Sequence, residues 1–533
     1  MVLSRIFKPI LLVLSLAFNF IKNSIMKKII IITVVFLGLF FASSCENELD
    51  LNSQTDIETE QYWKTESDAQ AGVNAIYAMF YKDGLWARWM YFRLDLTSDE
   101  GYSVSPWTEL ADWTRFNYIN YNFWEGNNVT WRDTYKAIFR CNQVLANVPN
   151  ITFQNEDDKK KILAQAKFFR AMNYYYAAIL WENIPLVLEP STPADLPEQK
   201  NVTEIWVQIE KDLNEAFEDL PADWAGDQTG RPDKGAAKAF LAKTYMQQHK
   251  WAEAKAALEY LISGAGAKYS LVSNYRDNFT DVNENNSESV FEIQFGDQRK
   301  GGTGEDPNAA VSSNRAQFFA PRSIGWSDGQ ARFWLVNAFK EEQNKDGNLD
   351  IRLRWTLYYP DLLADFGDKT YGKNWEWNND EAWFRKGSRD YYRDNEDYYS
   401  QVNYRLIRYA DVLLRYAEVL NELGNTAEAY QYVDLVRARV NMNTLAVAHP
   451  EIGNDHDLFL ERLKMERVLE LAGESVRWED LKRWGDLDTQ ASVDKIALRD
   501  PDFKNFTVGK NQRLPIPQVD VDNNPNLDQH PEY

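Results

Sequence analysis

The chain has 533 residues, with 80 acidic against 59 basic side chains and a formal charge of −21. That sign disfavours nucleic acid, whose affinity comes largely from neutralised phosphates. The length allows a large core, and the four histidines (249, 449, 456 and 530) are scattered without metal-ligand spacing.

The first element is "MKKIIIITVVFLGLFFASSC", Met26 to Cys45. Two lysines, an apolar run from Ile29 to Phe41 and the small residues Ala42, Ser43 and Ser44 make a secretory signal. The run is too short for a spanning helix, which needs about 20 residues. A second apolar run, Ile10 to Phe18, precedes this complete signal, so translation is expected to begin at Met26. Small residues before Cys45 resemble the lipobox of bacterial lipoproteins, although Ala42 stands where leucine is commonest. Acylation of Cys45 by two or three chains would anchor the protein stably in a membrane. The competing reading is an ordinary signal peptide that ends near a cysteine. Loss of residues 1–44 removes five basic and no acidic side chains, leaving 80 acidic against 54 basic residues, a formal −26. Residues 45–55 read as an acidic tether. Only Cys141 then remains, which excludes an intrachain disulfide; its helical setting "YKAIFRCNQVLANV" suits a buried apolar filler.

Residues 56–533 read as one mostly α-helical domain. Helical periodicity predicts helices in "ESDAQAGVNAIYAMFYK", "WRDTYKAIFRCNQVLANV" and "DKKKILAQAKFFRAMNYYYAAILW", the last stopped by "NIPLV" with Pro185. "VTEIWVQIEKDLNEAFEDLP" follows, with Thr203 as its expected N-cap. "RPDKGAAKAFLAKTYMQQHKWAEAKAALEYLIS" and "YADVLLRYAEVLNELGNTAEAYQYVDLVRARV" each read as a helix pair, the second broken at Gly424-Asn425. Both resemble tetratricopeptide pairs, with generic helical hairpins as the alternative. Between them, residues 264–400 are rich in Gly, Asn, Asp and aromatics, with "SVFEIQFG" as a strand. The rest reads as a large irregular excursion from the helical scaffold. In "DLFLERLKMERVLELAGESVRWEDLKRWG", Glu466, Arg467, Glu470 and Arg477 sit among leucines and are read as structural, since arginine's planar fork pairs carboxylates bidentately.

Taken in order, these segments resemble the SusD/RagB family of outer-membrane nutrient-binding lipoproteins of Bacteroidetes. The resemblance rests on the lipobox cysteine with "SDAQAGVNAIYAMF", then "AKFFRAMNYYYAAILWENIPLV", "GRPDKGAAKAFLAKTYM", "YADVLLRYAEVLNELG", and "ERLKMERVLELAGESVRWEDLKRWG" with the terminal "LPIPQVDVDNNPNLDQHPEY". It implies a SusD-like fold on a tetratricopeptide-like scaffold of four units. It also implies a lipid-anchored position on the outer membrane, facing the exterior, and a SusC-like TonB-dependent transporter as partner. Glu46, Glu48 and Asp50 look like the surface-export signal of this phylum.

The function implied is non-catalytic capture of an oligosaccharide or polysaccharide and its delivery to the transporter. Two alternatives stay open: a lid subunit with little glycan affinity of its own, and a peptide cargo. Carbohydrate is read by flat aromatic platforms with nearby amides, carboxylates and guanidinium groups. Two stretches fit that chemistry. Gly84 to Asn128 carries Trp86, Trp89, Trp107, Trp113 and Trp124, with Asp99, Glu100, Asp112 and Arg115. "FFAPRSIGWSDGQARFW" carries Arg322, Trp326, Asp328 and Trp334. The candidate ligand residues are Trp107, Trp326, Trp113, Asp99, Arg322 and Trp334. Trp86 and Trp89 also suit a core position, and the loop tryptophans also suit a transporter contact. Trp375, Trp377 and Trp383 in "YGKNWEWNNDEAWF" suit a rim or the same contact. No cofactor is expected. "NKDGNLD" offers alternating oxygens for calcium from Asn344 to Asp350, but its glycine falls at the wrong step for an EF-hand loop, and a solvated turn is the competing reading.

Overall fold

The computed structural model describes residues 62–119, 121–192, 194–224, 226–296 and 311–533. The signal region, the tether and Cys45 lie outside the described residues. The scaffold begins with α1 (Glu66–Tyr77), where Thr65 and Asp68 form a reciprocal capping box. Two short helices follow, α2 (Trp89–Leu96) and α3 (Thr108–Thr114). The long α4 (Glu125–Asn147) and α5 (Glu156–Trp181) come next. From Ile162 onward α5 is buried on almost every side, as expected of a helix enclosed by others. It packs on α4 and on α6 (Val202–Asp219). Arg170 forks onto both oxygens of Asp212 at 2.8 Å and joins α5 to α6 inside the core. Cys141 fills the apolar interior of α4, fully buried.

The N-cap of α6 is Asn201, not Thr203. The Asn201 carboxamide oxygen accepts from the Thr203 amide at 2.9 Å, which places Thr203 inside the first turn. The two predicted helix pairs are α7 (Lys234–Gln247) with α8 (Trp251–Ile262), and α9 (Tyr409–Glu422) with α10 (Thr426–Arg439). Small residues make the first crossing close: Ala236, Ala237, Ala239 and Ala242 of α7, and Ala254 and Ala257 of α8, are buried. Gly424 turns the second pair at φ 79°. The scaffold closes with α11 (His456–Leu471) and α12 (Arg477–Arg483).

Between α8 and α9 the chain makes short helices, turns and small sheets. Strand β1 (Gly101–Tyr102), which follows α2, pairs antiparallel with β3 (Gln330–Ala331). Strand β2 (Ser289–Ile293) pairs with β4 (Tyr404–Arg408) through an irregular register. Ala331 also bridges Ala382, so three distant segments lie side by side.

A buried charge network ties this excursion to the scaffold. Arg408 of β4 reaches Glu470 of α11 at 2.8 Å, and Arg352 contacts Asp350 at 2.7 Å and Glu470 at 3.4 Å. Arg467 of α11 holds Asp411 of α9 at 2.8 Å and Asp480 of α12 at 2.7 Å. Burial raises the cost of ionising Glu466 and Glu470, yet the surrounding arginines hold both carboxyls down at about 2. Removing one partner would strand a buried charge at a cost of about 3–5 kcal/mol.

The 344–350 stretch is a turn. The Asn344 side-chain oxygen accepts from the Asp346 and Asn348 amides, each at 3.0 Å. Asp350 is buried against Arg352 and caps the following short helix, so its oxygens are already occupied.

Candidate functional site

The pairing of β1 with β3 brings the two tryptophan-rich stretches together. At their meeting point a tight turn, residues 321–328, presents Trp326 to solvent with 55 % of its surface exposed. The turn is held from below. The Trp326 amide donates to the Gln317 carbonyl at 2.8 Å, and the Asp328 amide to the Phe318 carbonyl at 2.8 Å. Ser323 and Ser327 both take positive φ, 71° and 58°, a strained conformation for residues with a side chain. The Trp383 indole N–H steadies Ser327 by donating to its hydroxyl at 2.9 Å. Gly325 is required by contact: a Cβ there would meet the Gln317 carbonyl oxygen at 2.3 Å. The turn is therefore rigid where its tryptophan is most exposed.

The Trp326 ring stands edge-on to buried Phe318, centroids 4.8 Å apart, and 5.9 Å from half-buried Tyr398. Beneath them lies Arg88, whose guanidinium carbon is 4.4 Å from the Trp89 ring, 4.8 Å from Trp107 and 4.9 Å from Phe318. Trp107, half-buried, crosses Trp89 at 84° with centroids 5.0 Å apart. Such edge-to-face and cation–π contacts fix ring orientation. Acceptors flank the aromatics. Asp83 approaches Arg88 at 3.4 Å. Asp328 accepts from the Ser105 hydroxyl two residues before Trp107, and burial pushes the Asp328 carboxyl above its usual range. Arg88 has a buried Nε with no hydrogen-bond partner among the described residues. The arrangement offers an exposed ring, a second half-exposed ring, and charged groups between and below them. It suits a ligand with apolar faces and hydroxyl edges.

The other expected ligand residues are placed differently. Trp113 is a correction: it is 1 % exposed, wedged edge-on between Trp89 and Trp124 with Arg93 over its ring. Its position on α3, three residues after buried Leu110, turns it into the core. Asp99 is a second correction. It is fully buried and holds Arg477 of α12 at 2.7 Å and also Arg499. Although burial alone would raise it, these two guanidinium groups keep its carboxyl far below the usual range. Beside it, burial pushes Glu100 up to about 8. Trp334 is half-buried, donates its indole N–H to the Asp99 carbonyl at 2.6 Å and lies under Arg499. Asp99 and Trp334 thus anchor the base of β1 and β3 on the scaffold.

Arg322 lies on the same turn as Trp326 and forks onto Glu381 with two 2.7 Å contacts. Of the six candidates the structure brings Trp107, Trp326 and Arg322 around one turn, with Trp113, Asp99 and Trp334 behind it. Arg88 and Tyr398 belong to the cluster and were not singled out from the sequence. Arg88 carried a signal, a lone arginine between two tryptophans; Tyr398, in "EDYYS", carried none.

Comparison with known proteins follows the same outline. Residues 287–533 match the family model described as the SusD family, and residues 49–246 match one described as starch-binding, associating with outer membrane. "SusD-like protein P25" of Formosa agariphila is 28 % identical over 546 residues, covering 93 % of this chain and 97 % of its own length. A SusD superfamily protein from Bacteroides vulgatus superposes with a TM-score of 0.77 at 25 % identity, covering 89 % of this chain and all of the other. A laminarin-binding SusD-like protein gives 0.72 at 28 % identity, covering 88 % of this chain and 100 % of that one. With the helical-pair scaffold, the loop-rich excursion and both halves of the sequence in agreement, the chain belongs to the SusD family.

Proposed function

We propose that this chain is a non-catalytic receptor that captures a glycan on the Trp326–Trp107–Tyr398 surface and passes it to a SusC-like TonB-dependent transporter. The observation that carries the reading is Trp326, held more than half exposed on a rigid turn against Phe318, the ring that Arg88 underlies. Exposure alone would not single it out, since Phe123 and Leu498 are more exposed. What does is that its ring stands against Phe318 and Tyr398 on a turn held by two positive-φ serines, and such strain clusters at binding sites. One similar structure is named as laminarin-binding, and one family model as starch-binding; both support a glucan as the class of cargo. Family membership supports a position at the outer membrane, on the outside of the cell. Acylation of Cys45 is the proposed means of attachment, with residues 45–55 as tether and 56–533 as the receptor domain.

The test is calorimetric titration of the chain beginning after Cys45 with a panel of polysaccharides and oligosaccharides. Saturable binding that Trp326→Ala weakens at least tenfold, with an unchanged melting temperature, is the expected result; a single buried aromatic anchor commonly carries more than about 1.4 kcal/mol. A chain that binds none of the panel yet copurifies with its transporter would instead be a lid subunit.

A further inference from the structure

We propose a second carbohydrate platform, Trp375 with Trp377, placed so that a long glycan runs from Trp326 across the 321–328 turn onto it; the inference rests on glycan capture at Trp326. The two rings are half-buried and cross each other with centroids 5.1 Å apart. Both pack on fully buried Trp383, at 5.7 and 5.5 Å. Their indole N–H groups are already satisfied: Trp377 donates to the Arg322 carbonyl at 3.1 Å, and Trp375 to the Asn378 carbonyl at 3.2 Å. Each ring is thus fixed by its nitrogen edge and by the Trp383 floor, as a stacking surface must be.

The platform is continuous with the first site through the backbone. Trp383 donates to Ser327, the neighbour of Trp326, and Trp377 donates to Arg322 at the other end of the same turn. Trp326 lies four positions after Arg322, and four residue steps span at most about 14 Å. The strip Gly101, Ala331 and Ala382 sets the three segments beside one another, at the spacing of paired strands, about 5 Å each.

Polar groups line the path between the platforms. Arg322, with 45 % of its side chain exposed, is held bidentately by Glu381. The Ser323 hydroxyl donates to Glu376 at 3.0 Å, and the Asn378 amide donates to Glu381 at 3.0 Å. Hydrogen bonding to Arg322 keeps the Glu381 carboxyl below its usual range, so the pair stays charged and ready for hydroxyls of either sense. A single sugar unit on Trp326 has only Arg322 beside it, since Arg322 bridges Gly325 within the same turn, and does not extend over both the Glu381 edge and the two rings. An extended chain does, and the structure therefore selects for length.

The test uses a length series of oligosaccharides cut from laminarin and another cut from starch, titrated into wild type, Trp326→Ala and the double variant Trp375→Ala/Trp377→Ala. Affinity of the wild type should rise with length. The double variant should match it for the shortest binding member and fall about tenfold below it for the longest, while Trp326→Ala loses both. Three results overturn the platform with capture left standing. The double variant follows wild type at every length; or it does so but no longer copurifies with the transporter, making the rings a protein contact; or it loses short and long ligands alike with a lowered melting temperature, making them structural. If no member of either series binds wild type, glycan capture of this class itself fails and the platform falls with it.

Discussion

Residues 84–128 and residues 318–334 both looked like carbohydrate-reading surface, yet they treat their tryptophans in opposite ways. The first stretch buries Trp86, Trp89, Trp113 and Trp124 and leaves only Trp107 half-exposed. The second lifts Trp326 into solvent on a turn and uses Trp334 as an anchor. Aromatic richness alone therefore does not mark a binding face. What separates the two is the backbone beneath the ring. Trp89 and Trp113 sit on helices whose inward face must be filled, whereas Trp326 sits between Gly325 and Ser327, where no helical neighbour covers it. The buried set serves the exposed one: Trp89 supports Trp107 and Arg88, and Phe318 supports Trp326.

The sharpest way to break this contrast is Trp113→Ala. If the ring is core, the change should cost about 3–5 kcal/mol of stability, read as a lower denaturant midpoint, with ligand affinity retained in the surviving folded fraction. A loss of affinity at unchanged stability would return Trp113 to the binding face.

The second effect is one of pH. Glu109 lies on α3, between Trp107 and Trp113, and accepts from the Asn127 amide at 3.3 Å at the start of α4. Burial pushes its carboxyl up from 4.5 to about 7, against the pull of the Gly126 and Asn127 amides. A raised carboxyl binds its proton more tightly in the folded state. Its contribution is therefore complete below pH 4.5 and is lost as pH rises through about 7. The Glu109 share of the fall in stability across that window is up to about 1.4 kcal/mol per pH unit. Glu109→Gln should make the profile shallower by that share, leaving the slope due to other raised carboxyls such as Glu100. An unchanged profile in the variant would assign the slope to another group.

Smallest is Trp107→Ala, which stands between the two classes. It should cost about 1–2 kcal/mol of stability, because half of the ring leaves water on folding, and weaken glycan binding by a few fold. A purely structural or purely binding effect would place it wholly in one class.

Much of the scaffold was legible in the sequence. The helices around "AKFFRAMNYYYAAILW" and the pairs at 234–262 and 409–439 show their apolar period locally, and Gly424 marks its own turn. So does the pairing role of Glu466, Arg467 and Glu470, since buried charges among leucines need partners. Trp326 was readable as a surface ring from its glycine and serine neighbours. Even the burial of Trp113 had a local sign, the spacing from Leu110.

Other features were set only by the folded chain. Asp99 resembled a ligand carboxylate because its partners, Arg477 and Arg499, lie hundreds of residues away, and no local pattern announces them. Tyr398 meets Trp326, and Arg88 meets the Phe318 ring that supports it, only because β1 pairs with β3 and residues 398–400 fold back beside residue 313. Local periodicity is fixed by bond geometry and side-chain spacing along one segment. Which surfaces face one another depends on long-range packing that no single segment encodes. The sequence by itself determined the helical scaffold and its aromatic wealth; tertiary structure decided which rings are floor and which are platform.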